Sequence, residues 1–293
     1  MSYQPLLAKV LELADTVKLI GALGAELRLR QMNVAGDPRV RAAVNDMVAT
    51  LGPDMLDGLD PARLAVVIGQ ISYALQEALD LLRNPERAPG WSYDDPAILQ
   101  DRGRGSAAMA GAFNNLARTR PAFAAVLKGE RRFLDIGTGV AWIAIASAKA
   151  WPDMQVVGID IWQPALTLAE SNIAAEAMQH RITLRRQSVT EIEDEKAFDL
   201  VWMPGMFLPR DVVNAALPRV VKALRPGGML VFGMYAASSG QHGAAAAKLL
   251  TVRSGGYPWT QDELQAKLEG LGLQHIEFVP LTGTTRGVLA QHP

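Results

Sequence analysis

The 293-residue chain contains no cysteine. Disulfides, zinc–thiolate sites, iron–sulfur ligation and a cysteine nucleophile are thereby excluded, and a chain without thiols suits a reducing compartment. An excess of charge of one sign is lacking too. Against 29 Lys and Arg stand 30 Asp and Glu, a net charge of −1. That balance provides no broad basic field for nucleic acid and no acidic tail. Long hydrophobic runs are absent: the most apolar stretch lies around 140–148, and Lys149 and Asp153 follow it. A membrane span needs about 20 such residues in a row. The N-terminus, MSYQPLLAKVLELAD, has no basic leader and carries Glu12 and Asp15 within its apolar part, so no signal peptide is expected. These absences predict a cytoplasmic protein with neither a membrane nor a nucleic-acid partner. Apolar residues make up 49% of the chain, which supplies a sizeable core and excludes a mostly disordered polymer.

The pattern changes near residue 130. Before it, Leu6, Leu7, Val10, Leu13, Ala14 and Val17 recur at helical spacing. Asp37-Pro38 and Asp60-Pro61 each read as an N-cap followed by proline at the first helical position. Gly52-Pro53 and Asn84-Pro85 close those two helices. The Pro-, Gly- and Asp-rich stretch 85–96 reads as a loop. A helix over 96–118, weakened by Gly103, Gly105 and Gly111, and a short one after Pro121 are expected, with no strand before 130. From 131 onward strands and helices alternate: strands over 131–136, 155–160, 181–187, 198–203, 229–234, 275–281 and 286–291, helices over 142–150, 164–177, 210–224 and 260–271. Thr260 reads as the N-cap of the last helix. This order predicts an α/β fold, a Rossmann-like, seven-stranded, mostly parallel sheet with helices on both faces, preceded by an all-α N-terminal domain. The expected division is 1–125 and 126–293.

The chemistry concentrates at 133–142, FLDIGTGVAW. An apolar strand ends in Asp135, turns through Gly137-Thr138-Gly139 and enters a helix. Glycines permit a sharp turn and a close ligand, and the helix N-terminus presents free N–H groups. Asp160 ends the next strand, 21 residues after Gly139, where an acid accepts both hydroxyls of a ribose. A dinucleotide fingerprint would place a third glycine at Trp142, and Asp135 would repel a pyrophosphate. Both features favour S-adenosylmethionine over NAD. The bland alternatives are an ordinary strand-to-helix turn, and a plain helix cap at Asp160.

On these residues the part from about 131 to 293 resembles the class I S-adenosylmethionine-dependent methyltransferases. The Asp/Glu-x-Gly-x-Gly motif is matched by Asp135, Gly137 and Gly139, with Ala141 where the third glycine stands. Asp160 matches the second motif, Phe198-Asp199-Leu200-Val201-Trp202-Met203-Pro204 resembles the fourth, and 224–230, LRPGGML, matches the turn before strand five. The resemblance implies S-adenosylmethionine as cofactor, bound by Asp135, Gly137, Thr138, Gly139 and Asp160. Ile161 and Trp162 are implied against adenine, Ser188 and Val189 beyond strand three, and Met203 at the end of strand four. Where the family often has an acid for the adenine amine, this chain has Gln187-Ser188-Val189.

Met206 and Phe207 lie beyond strand four, where the methyl group would be transferred. Trp91 and Tyr93, in the loop before the catalytic part, read either as plain packing or as a substrate lid. No histidine stands at 206–210, where many plant-type O-methyltransferases carry their base, and His242 in the Gly-rich loop 238–243 is the substitute candidate. Helical extensions in the resembling small-molecule enzymes cover the substrate and build a homodimer, so a cap or dimerisation role is expected for the first 125 residues. Met203-Pro204-Gly205-Met206 also lacks the Asn/Asp-Pro-Pro-Tyr/Phe of many base and protein-amide N-methyltransferases. The expected activity is therefore methylation, first of all O-methylation, of a small, largely apolar metabolite. C-, N- or S-methylation, an NAD oxidoreductase, and a domain that binds S-adenosylmethionine without turnover remain the alternatives.

Overall fold

The computed structural model describes residues 3–52, 54–91 and 95–293. Its contacts divide the chain into two compact units, Met1–Arg87 and Ala88–Pro293. The first is built from α1 (Tyr3–Met32), α2 (Pro38–Ala49) and α3 (Pro61–Arg83). Asp37 and Asp60 cap the second and third as the Asp-Pro pairs predict: Asp37 accepts from the amides of Arg39 and Val40, and Asp60 from that of Arg63. The core of this unit is small, formed by Leu27, Leu64 and Ile68 with Leu23 and Ile71 packed around them. Glu26 is buried in α1 and paired with Arg30 at 2.8 Å and Arg41 at 3.3 Å. Burial works against its charge, but the two guanidinium groups outweigh that and hold the carboxyl below its ordinary range.

The second unit opens with α4 (Pro96–Ser106), α5 (Ala108–Thr119) and α6 (Pro121–Ala125). Asp95-Pro96 repeats the capped start, with the Ala97 amide donating to Asp95 at 2.8 Å. The helix expected over 96–118 is interrupted at Ala107, where the Ser106 hydroxyl donates back to the Gly103 carbonyl at 2.6 Å. Then come β1 (Arg132–Ile136), α7 (Trp142–Ala150), β2 (Gln155–Asp160), α8 (Gln163–Ala175), β3 (Ile182–Arg186), β4 (Phe198–Met203), α9 (Arg210–Ala223), β5 (Leu224–Tyr235), α10 (Gly243–Arg253), α11 (Gln261–Gly270), β6 (Gln274–Thr282) and β7 (Thr285–Gln291). Helix α10 was not expected; it follows directly from the loop 238–243 through an alanine-rich run. Strand β5 starts earlier than 229, because Leu224 already pairs with Phe198 before a register shift around Pro226-Gly227-Gly228. Thr260 caps α11 through a capping box with Glu263.

The seven strands form one sheet in the order β3-β2-β1-β4-β5-β7-β6. The first five are parallel and β7 runs antiparallel between β5 and β6. The order in which the chain adds strands reverses between β1 and β4, which opens the ligand crevice at their carboxyl ends. Alternate side chains feed the two faces. Phe133, Leu200 and Trp202 face α5 and α7. Leu134, Ile136, Val201 and Met203 face α9 and α11. At the opposite, amino ends, the buried Asp199 accepts from Arg131 at 3.0 Å, Arg225 at 2.8 Å and the Arg132 amide at 2.8 Å. That acid ties β1, β4 and β5 together far from the crevice.

Phe113 of α5 explains why the second unit begins at 88 and not at 126. Its ring is fully buried against Phe123, Phe133 and Trp202, with centroids 6.0, 6.2 and 6.1 Å away. Helices before 126 thus roof one face of the sheet. Phe113→Ala is expected to destabilise this unit by about 3–5 kcal/mol, the cost of a large cavity in a packed core; urea unfolding checks it, and a loss below about 1 kcal/mol would show that the roof is not integral.

Candidate active site

The turn after β1 is left-handed at three positions: Gly137 (φ +65°), Gly139 (φ +56°) and Ala141 (φ +68°). For alanine that conformation costs about 1–2 kcal/mol, so the neighbours must impose it. They do so from four sides. The Thr138 amide donates to the Ile159 carbonyl at 3.0 Å, and the Ala141 amide to the Thr138 carbonyl at 2.9 Å. The Gly139 amide donates to Asp160 Oδ2 at 2.8 Å. Asn172 Nδ2 of α8 donates to the Val140 carbonyl at 2.9 Å.

Asp160 serves both turns, because its Oδ1 accepts from the Trp162 amide at 2.9 Å. Burial raises its pKa, opposed by the amides of Trp162, Gly139 and Ile161. Each of its oxygens keeps a further lone pair for a hydroxyl. Asp135 is fully buried under the turn. Thr138 Oγ1 donates to its Oδ2 at 2.7 Å, while Oδ1 has no hydrogen-bond partner. Burial, with the Asp160 charge nearby, pushes its pKa up to about 7.

Ile161, beside Asp160, is 66% exposed. Trp162 is half-buried and packs with Leu99, Val140 and Ala165, joined by Trp91 and Trp142. The Gln187 amide ties the end of β3 to the Asp160 carbonyl at 3.0 Å. The Ser188 hydroxyl is engaged in its own turn, accepting from the Thr190 amide at 3.2 Å and pairing with Thr190 Oγ1 at 2.8 Å, and Val189 is buried beneath it. Gln187, not singled out from the sequence, leaves Oε1 buried without a partner. The Met203 side chain is fully buried in the core on the α9 side, so only its backbone borders the crevice at the strand end.

Beyond β4 the structure assembles an aromatic row. The Trp91 ring meets Phe207 edge-on at 5.6 Å, and Phe207 meets Tyr235 edge-on at 6.0 Å. Met206 is buried beside them. Tyr235, at the end of β5, was missed by the sequence reading, although its place at a strand's carboxyl end is the signal that would have found it. Its hydroxyl lies 3.2 Å from Ser254 Oγ. The Gly90 amide donates to the Arg253 carbonyl at 3.1 Å, which fixes the segment carrying Trp91. Tyr93 lies outside the described residues. His242 is exposed at the start of α10, with Nε2 3.0 Å from Gln241 Nε2; no acid orients its ring there.

Comparison with known proteins agrees with this geometry. Residues 133–228 match the family described as "Methyltransferase domain". A release factor glutamine methyltransferase of Rhodopirellula baltica is 33% identical over 101 residues, 34% of this chain and 34% of that protein. A tRNA1(Val) (adenine(37)-N6)-methyltransferase of Vibrio campbellii is 31% identical over 72 residues, 25% of this chain and 30% of that one. The chain spans between about a third and a half of the length of the first curated relatives it matches. Over nearly its full length the fold is that of an O-methyltransferase family protein from Burkholderia thailandensis, with a TM-score of 0.66, 12% identity and 98% of each chain covered.

The chain carries a class I S-adenosylmethionine-dependent methyltransferase domain. The residues fit that cofactor on their own terms: the buried Oδ1 of Asp135 lacks a donor, and an ammonium supplies one. With its pKa raised from the ordinary 3.8 to about 7, this carboxyl is partly protonated near neutral pH in the folded protein. Its contribution to stability is therefore complete below about pH 4 and is lost as pH rises through about 7. A cation bound at Oδ1 reverses that preference. Calorimetric titration with S-adenosylhomocysteine near pH 6, in buffers of different ionisation enthalpy, is expected to report release of a proton. The release should disappear near pH 8 and in Asp135→Asn; equal proton counts at both pH values would refute it.

Proposed function

We propose that the protein transfers the methyl group of S-adenosylmethionine to a small, largely apolar metabolite in the cytoplasm, with an oxygen as the first-choice acceptor atom. The observation that carries this reading is the juxtaposition, in one unit, of the Asp135–Asp160 turn with the Trp91–Phe207–Tyr235 row. When bound, the cofactor would supply an electrophilic methyl on a sulfonium, which an acceptor oxygen already ionised in solution would take as the carbon–sulfur bond breaks. The chain's task is then alignment and exclusion of water, which together account for much of such a rate. Asp160, oriented by the Gly139 amide, would hold the cofactor's ribose, and Asp135 its ammonium. Ile161, Trp162, Ser188 and Val189 would hold the adenine. Trp91, Met206 and Phe207 form the apolar acceptor wall, and the Tyr235–Ser254 hydroxyl pair is the polar contact within it. His242 is exposed and its Nε2 is engaged with Gln241, so this reading assigns it no proton transfer.

Two of the relatives act, by their names, on a protein glutamine and a tRNA adenine. Met203-Pro204-Gly205-Met206 carries no side-chain amide or acid for such a planar amide or base, and the net charge of −1 offers no phosphate-binding field. The proposal also includes a homodimer through the N-terminal unit. Leu6 (66%), Val10 (51%), Leu13 (47%) and Val17 (55%) of α1 form an exposed apolar stripe that a second copy would cover.

Three measurements test these statements. Labelled S-adenosylmethionine, offered with a panel of small phenols, with tRNA and with release-factor-type protein, should label the phenols; labelling of tRNA or protein instead would overturn the substrate class. Asp160→Ala should weaken S-adenosylhomocysteine about tenfold or more, equivalent to about 1.4 kcal/mol. For the dimer, sedimentation should give twice the chain mass and Val10→Lys a single chain; a wild-type monomer would end that part of the proposal.

A further inference from the structure

Helix α4 lies directly on the turn that follows β1. Leu99 is buried with Val140 and Ala165. One turn later Gly103 approaches Val140 so closely that a Cβ there would stand 2.1 Å from Val140 Cγ2. Between these two contacts, Gln100 spends its whole carboxamide on the cofactor side of the fold. Its Oε1 accepts from Trp142 Nε1 at 3.2 Å and from Asn172 Nδ2 at 3.2 Å. Its Nε2 donates to Asn172 Oδ1 at 2.9 Å. Asn172 passes the constraint on, since its Nδ2 also donates to the Val140 carbonyl at 2.9 Å. The four bonds are partly buried and join α4, α7, α8 and the turn.

The Val140 carbonyl lies between Gly139 and Ala141, both left-handed. Its direction fixes the peptide plane entering Ala141, the strained position, and limits how far the Gly139 amide can swing from Asp160. We infer that Gln100 is a positioning residue for the cofactor: it orients Asn172, Asn172 orients the Val140 carbonyl, and the turn is thereby held in its binding conformation before any ligand arrives. An apolar side chain of the same length would fill the space equally well, so packing alone gives no reason for a carboxamide here. A satisfied polar network does, because it admits one arrangement and penalises the others.

The inference rests on the cofactor reading above, and the experiment separates the two. Gln100→Met keeps the length and removes every hydrogen bond; Gln100→Glu keeps the accepting oxygen for Trp142 and Asn172, and keeps a donor to Asn172 Oδ1 only while its carboxyl is protonated. Titration of S-adenosylhomocysteine should give a Kd about tenfold higher for Gln100→Met, and for Gln100→Glu, compared with wild type at the same pH, a Kd within about threefold near pH 5 that weakens as the carboxyl ionises. In the unliganded protein, hydrogen exchange at the Gly139 and Ala141 amides should accelerate in Gln100→Met, which needs neither turnover nor a known acceptor. Asn172→Ala should weaken binding similarly, and the double variant should be no worse than Asn172→Ala alone, since both act through one carbonyl. An unchanged Kd in Gln100→Met, equal losses in Gln100→Met and Gln100→Glu near pH 5, or additive losses with Asn172→Ala would each overturn the inference. Failure of the wild-type protein to bind S-adenosylhomocysteine would overturn the cofactor reading beneath it.

Discussion

Asp160 is the constraint on which the rest of the site depends. Its two oxygens capture the amides of Gly139 and Trp162 and so fasten the turn after β1 to the turn after β2. That clamp is one of four hydrogen bonds holding the left-handed series Gly137, Gly139, Ala141, and they are needed because alanine gains nothing intrinsically from φ +68°. The strain is local and its remedies come from distant parts of the chain: the Ile159 carbonyl of β2, the Asp160 carboxylate, and Asn172 of α8. A turn whose own amides are tied inward in this way keeps its shape without rearrangement when a ligand binds.

The two acids at the turn divide their duties by environment. Asp160 is rimmed by amides that favour its charge, though burial opposes it. Asp135 is fully buried; burial and the Asp160 charge raise its pKa to about 7, against the Thr138 hydroxyl and the Ala144 amide. Two carboxylates so close cannot both ionise cheaply. A positive ligand group removes that conflict and a neutral one does not, so the arrangement selects for a cation at the turn before any direct contact with an acceptor is considered. Trp91 links this end to the other. It packs in the cluster containing Val140 of the turn and also meets Phe207 beyond β4, so movement of the turn is felt at the aromatic row.

Much of this was legible in the sequence, for identifiable reasons. The short apolar run ending in the glycine turn, the Asp-Pro helix starts and Thr260 as helix cap are local codes, and local codes survive in any context. The glycine turn and Asp160 were legible because strained backbone demands particular residue types at fixed spacing. The Gln100–Asn172 contact was not, since it joins side chains 72 residues apart without period or motif. The boundary at 88 was hidden for a similar reason: the segment around Phe113 reads as one more amphipathic helix, and only its burial against Phe133 and Trp202 makes it part of the sheet's roof. Met203 illustrates parity. In a strand buried on both faces every side chain is apolar, so hydrophobicity does not reveal which residues face the crevice, and Met203 turns into the core.

The N-terminal unit differs in how its sequence and structure relate. Its helices were read correctly, yet only Glu26 and Leu27 are buried along the 30 residues of α1. The three-residue core of Leu27, Leu64 and Ile68 lies at the far end of that helix from Leu6 and Val10. Surface ion pairs such as Lys9–Glu12 and Lys18–Asp15 add only tenths of a kcal/mol to an isolated helix. Among the described residues of its own unit nothing covers the apolar stripe of Leu6, Val10, Leu13 and Val17. That stripe is an amphipathic pattern left without a buried partner, and it is the surface on which the proposed second copy would sit.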